Sequence, residues 1–174
     1  RHHKNQSDEY SFSLGGNQRN RLYRNNGDGT FIEVGYLEGA DCAEDGYIVA
    51  PVDIDNNGTQ DLVLRNTDPA IGNHYNPVIL LENQSQGNSL EVLFTGTRSP
   101  LGARVVAEFS SSKRGQYIVT REVRSVNGAV QAEAHAFFGI PEDASLTSLR
   151  IHWSNGSVEE LDLPKENKVT VHSN

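Results

Sequence analysis

Apolar residues recur at every second position over long stretches of this chain, and that period restricts its fold more than any other feature. Leu90, Val92 and Phe94 share one face of an extended segment, and Val105, Ala107 and Phe109 share another. Tyr117, Val119, Arg121 and Val123 alternate in the same way, as do Leu149, Ile151 and Trp153. A period of two marks strands with one buried face. No helical stripe of useful length accompanies it. With 16 Gly, 6 Pro and a hydrophobic fraction of 36%, the composition also suits short strands and many turns. The fold class reads as all-β.

The turns divide these strands. Arg21 to Asn25 and Phe31 to Val34 flank Asn26-Gly27-Asp28-Gly29-Thr30, a tight hairpin connection. Further strands are expected over 47–52, 62–64 and 77–81. Ser154-Asn155-Gly156-Ser157 predicts a hairpin leading into a return strand from Val158 to Leu163, and a final strand covers Lys168 to His172. Residues 1–11 are polar and read as a tail or irregular loop. The polar run Asn83 to Asn88 is the best boundary, which gives one region over 12–86 and a second over 87–174. Residues 20–26 and 76–83 echo each other at about the spacing of a propeller blade.

The sharpest chemical signal is Asp53-Ile54-Asp55-Asn56-Asn57-Gly58-Thr59-Gln60-Asp61. Asp53, Asp55, Asn57 and Asp61 put side-chain oxygens at loop positions one, three, five and nine, and Thr59 would add its backbone carbonyl. Three crowded carboxylates repel one another, and a divalent cation relieves that repulsion. Magnesium demands stricter geometry and keeps more water, so calcium is the expected ion. The loop is not an EF-hand, because Leu64 stands at position twelve and strand patterns flank it. The cluster from Asn25 to Thr30 holds one carboxylate and reads as a plain turn.

Charge and motifs narrow the function. A net charge of -8 and a pI near 5.2 exclude the basic stripe that nucleic acid requires. No apolar run reaches membrane-spanning length. The single cysteine, Cys42, reads as a small buried hydrophobe, and the six histidines are scattered without metal or catalytic spacing. Arg98, Arg104, Arg121 and Arg124 read as strand-face charges opposite Glu91, Glu108, Glu122 and Glu133, and Trp153 as a packing residue. Sequons occur at Asn5, Asn57, Asn83 and Asn155, each in an expected turn.

Asn20 to Phe31, with the Asp53–Asp61 loop and Asp61-Leu62-Val63-Leu64, resembles the VCBS/FG-GAP repeat. The stretch from about Asn88 to Leu163 resembles the ASPIC/UnbV domain, through Leu90-Glu91-Val92, Gly96-Thr97-Arg98-Ser99, Gly102-Ala103-Arg104-Val105, Arg121-Glu122-Val123, Phe138-Gly139 and Ile151 to Gly156. Repeat followed by terminal domain is the order of the cartilage acidic protein-like family. The resemblance implies propeller-type repeats over 12–86, incomplete at their N-terminal side, and a small β-sandwich-like domain over 87–174. It implies missing upstream blades or partner chains that cover exposed strand edges.

The function expected from these features is an extracellular, calcium-binding module, secreted or on the cell surface (periplasmic in a bacterium). It would serve adhesion, matrix or surface-complex assembly with a protein or carbohydrate partner. Two other readings stay open: part of a propeller enzyme of secondary metabolism, and a structural subunit of a filament or envelope assembly. No nucleophile or acid–base cluster is identifiable in the sequence.

Overall fold

The computed structural model describes residues 19–67, 78–85, 88–127, 130–131 and 133–173. The expected tail over 1–11, His74 and the Gln86-Gly87 part of the expected boundary lie outside these residues. Fourteen strands and no helix occur among the described residues. They are β1 (Tyr23–Asn25), β2 (Phe31–Glu33), β3 (Asp45–Val52), β4 (Asp61–Thr67), β5 (Val78–Leu81), β6 (Asn88–Gly96) and β7 (Arg104–Ser111). Then follow β8 (Gly115–Glu122), β9 (Val126–Asn127), β10 (Val130–Gln131), β11 (Ala136–Ile140), β12 (Ala144–His152), β13 (Val158–Leu161) and β14 (Lys168–Ser173). The protein is all-β, as the alternation predicts, and among the described residues no sheet closes on itself.

The chain forms two compact units, one of Arg1–Val52 and Asp61–Glu82, the other of Asp53–Gln60 and Asn83–Asn174. In the first, β1 and β2 make the predicted hairpin, with Gly27 and Gly29 at φ 83 and 87. Thr30 donates from its amide to Asp28 Oδ1 at 2.9 Å, so this acid is spent within its own turn. Strands β3, β4 and β5 form an antiparallel meander, the open sheet of a partial propeller-type repeat. Among hydrophobic residues described in this unit only Val34, Ala40 and Leu64 are buried, whereas Tyr36, Leu37, Tyr47 and Val78 are each at least 70% exposed.

The second unit carries the main core. A sheet of order β13-β12-β7-β8 faces a sheet of order β11-β6-β14. Between them lie Leu90, Val92, Val105, Phe109, Phe138, Leu149 and Ile151, all at 1% exposure or less. Each such side chain contributes about 1.5–3 kcal/mol by leaving water, so this layer dominates the unit's stability. The pairing is antiparallel except for β14, which runs parallel to β6 from Lys168↔Glu91 to Ser173↔Gly96. Trp153 is buried as expected, edge-on to Phe94, with its indole N–H on Glu159 at 2.9 Å.

Three details depart from the sequence reading. Strand β11 was not expected from alternation, because Phe137-Phe138-Gly139 shows no clean period. A register shift between Leu146 and Ser148 lets β12 extend back to Ala144 and keeps Leu146 opposite Phe109. Cys42 is half-buried, where full burial was expected.

Candidate metal centre

The acidic loop joins β3 to β4, whose pairing closes at Val52↔Asp61. Two residues turn the chain back: Asn56 at φ 58, a conformation Asn tolerates, and Gly58 at φ 85. The turn aims backbone N–H groups at the acids. Asp53 Oδ1 accepts from the Asn57 amide and Asp53 Oδ2 from the Gly58 amide, both at 3.0 Å. Asp55 Oδ1 accepts from the same Asn57 amide at 3.1 Å, and its Oδ2 from Asn57 Nδ2 at 2.9 Å.

Asp53, Asp55 and Asp61 each present a carboxylate oxygen, and the three oxygens lie within 4.8 Å of one another. Oxygens about 2.4 Å from a common calcium can stand up to about 4.8 Å apart, so the set fits one such ion. Asp61 is 1% exposed, and a carboxylate buried beside two others needs compensating charge. Asn57 Oδ1 accepts from Thr59 N at 2.8 Å and Thr59 Oγ1 at 2.6 Å, which orients the turn. The Asn57 oxygen thus already accepts two hydrogen bonds. Thr59 is buried, and its single hydroxyl proton, given mainly to Asn57 Oδ1, is shared with the more distant Asn83 carbonyl at 3.2 Å.

Two contributors were not legible in the sequence. Asn83 is half-buried rather than an exposed sequon, and its Nδ2 donates to the Gln60 carbonyl at 3.1 Å. Ser89 is 4% exposed, and a Cβ placed on Gly58 would lie 3.0 Å from its hydroxyl. Nearby, the Glu91 carboxylate, 3.0 Å from Lys168 Nζ, raises the lysine above its usual range, with smaller contributions from Asp53 and Glu133.

Several of the remaining candidates have structural partners. Arg124 pairs with Glu122 at 2.9 Å, whereas Glu108 and Glu91, expected opposite Arg98, Arg104, Arg121 or Arg124, pair with Arg150 and Lys168. Arg98 stacks 4.1 Å from the Trp153 ring centre and donates to Asn155 Oδ1 at 2.8 Å. Arg121 lies over Phe138 and donates from Nε to the Phe137 carbonyl at 3.1 Å. His135 and His152 are half-buried and His172 is exposed. The first unit also holds a cavity of about 370 Å³ whose described lining, Leu22, Ile48, Leu62, Leu64 and Leu81 among others, is mainly apolar.

An open β-meander with an acidic loop is followed in the chain by a two-sheet β domain. The family model described as FG-GAP-like repeat matches residues 8–64, and that described as ASPIC and UnbV matches residues 95–173. The chain therefore carries an FG-GAP-like repeat followed by an ASPIC/UnbV domain. No curated protein matches the chain. FG-GAP repeats are typical of extracellular or surface proteins. No helix among the described residues is long and apolar enough to cross a membrane.

Proposed function

We propose that this chain is an extracellular calcium-binding module serving adhesion, matrix or surface-complex assembly, with calcium held by Asp53, Asp55, Asn57, Asp61 and the Thr59 carbonyl. The observation that carries the reading is the convergence of three carboxylate oxygens within 4.8 Å in the hairpin loop of an FG-GAP-like repeat. Hard oxygen donors in a flexible loop suit calcium better than magnesium or a thiolate-seeking metal. The exposed Tyr36, Leu37, Tyr47 and Val78 support a further part of the assembly over the first unit, either upstream blades or a partner chain. A protein or carbohydrate is the class of surface partner.

Thermal melts in calcium and in chelator test the metal. Extracellular modules bind calcium with dissociation constants of about 10⁻⁴–10⁻³ M, so 1 mM calcium stabilises by roughly 0.4–1.4 kcal/mol. Asp55→Ala is expected to abolish that shift while the second unit stays folded. Identical melting temperatures in calcium and in chelator, for the unmodified protein, overturn the reading.

A further inference from the structure

The contacts that fasten the acidic loop to the rest of the second unit reach Asn83, which precedes β6, and Ser89 at the start of that central strand. Asn83 is held to the loop at two points: its carbonyl lies 3.2 Å from the Thr59 hydroxyl, and its Nδ2 donates to the Gln60 carbonyl. Ser89 sits on β6 in the phase opposite to Leu90 and Val92, which face the core. Its register partner on β11 is Gly139, which has no side chain to cover it. It is nevertheless 4% exposed, and its hydroxyl would lie 3.0 Å from a Cβ placed on Gly58, so Gly58 approaches it with no room for a side chain between them. Gly58 is held there by Asp53, whose Oδ2 accepts from its amide. One carboxylate of the acidic cluster therefore also positions the residue that seats on β6.

We propose that the loop is a cation-dependent clamp on the start of β6: loading the acidic cluster tightens the seat of Gly58 on Ser89, and emptying it loosens that strand end. The inference rests on the calcium reading above. Without a cation, repulsion among Asp53, Asp55 and Asp61 pushes Asp53 out of the arrangement that orders Gly58. With a cation, any opening that releases it is suppressed by the factor one plus the ratio of free calcium to the dissociation constant.

Hydrogen exchange on the full chain tests the clamp, with binding measured in parallel by calorimetry using calcium alone. At free calcium ten times the measured dissociation constant, exchange at the amides of Ser89, Leu90 and Glu91 is expected to slow about tenfold relative to chelator. Asn83→Ala removes the donor to Gln60 and none of the proposed ligands, so it should still bind calcium but lose most of that protection. Ser89→Gly, which removes the seat itself, serves under the same criterion if the first variant does not fold. Calcium binding that protects the amides of residues 57–59 but not those of 89–91 overturns the clamp and leaves the calcium reading standing. Undiminished protection in a variant overturns the clamp too. Absence of calcium binding by the unmodified protein overturns both.

Discussion

Gly58→Ala separates two ways in which the loop depends on having no side chain at that position. The first is conformational: φ is 85, and a non-glycine residue held in the left-handed region costs about 1–2 kcal/mol. Reduced freedom of the unfolded chain returns about 0.4–1 kcal/mol of this. The second is steric. The added Cβ would meet Ser89 Oγ at 3.0 Å, and Ser89, at 4% exposure, must leave its rotamer to make room. A displaced rotamer costs about 0.5–1.5 kcal/mol. The total is close to 2 kcal/mol. Trp153, the only tryptophan, is buried in the second unit together with the loop tip, so its fluorescence reports the relevant unfolding. With a urea slope of roughly 1.5 kcal/mol per molar, the midpoint falls by about 1 M. Gly115→Ala is the matched control, at φ 71 in the same unit with nothing within 4 Å of the added carbon, and should lose only the conformational part. In a Ser89→Ala background Gly58→Ala should also shrink to that part. Equal losses for Gly58→Ala with and without Ser89 would refute the steric argument. An unchanged Trp153 transition would refute the placement of the loop in that unit.

Phe109→Ala removes a side chain at 1% exposure that stacks on Tyr117 with ring centres 5.3 Å apart, and should destabilise the second unit by about 3–5 kcal/mol in urea unfolding. The Ser111 hydroxyl, 2.5 Å from Asp143 Oδ2, and the Lys113 amide hold the Asp143 carboxyl below the usual aspartate range. A depressed folded value stabilises above the ordinary aspartate pKa and is lost as pH falls through the folded one. Ser111→Ala should raise the Asp143 titration midpoint, followed by carboxyl NMR, and weaken the acid-sensitive part of stability.

The strands were legible where one face is buried and the other wet. Leu90, Val92, Val105, Ala107 and Phe109 are all in the core, and their period announced it. Arg121 kept the inward phase of β8 beside Tyr117 and Val119, yet its guanidinium reaches out over Phe138, a placement that long basic side chains allow. Strand β11 was hidden because Phe137 and Phe138 are adjacent and Gly139 has no side chain to show a phase. The bulge in β12 was hidden because it changes the spacing of Leu146 and Leu149 to three. In the acidic loop the spacing of Asp53, Asp55 and Asp61 was enough to predict their convergence, since all three belong to one short connection. The parts played by Asn83 and Ser89 were not legible, because each depends on a contact with residues some 23 or more positions away.

The parallel pairing of β14 with β6 governs when the second domain can be completed. Thr95 on β6 meets His172 on β14 at 2.8 Å, 77 positions later in the chain. The other neighbour of β6, β11, also follows it in sequence. As the chain leaves the ribosome at about 5–20 residues per second, β6 waits roughly 4–15 seconds for its last partner. During that interval β7, β8 and β12 can pair by antiparallel contacts, while one edge of β6 keeps its backbone donors and acceptors open. Closure over so long a separation is slow, and the open edge is where a newly made chain is most exposed to pairing with another.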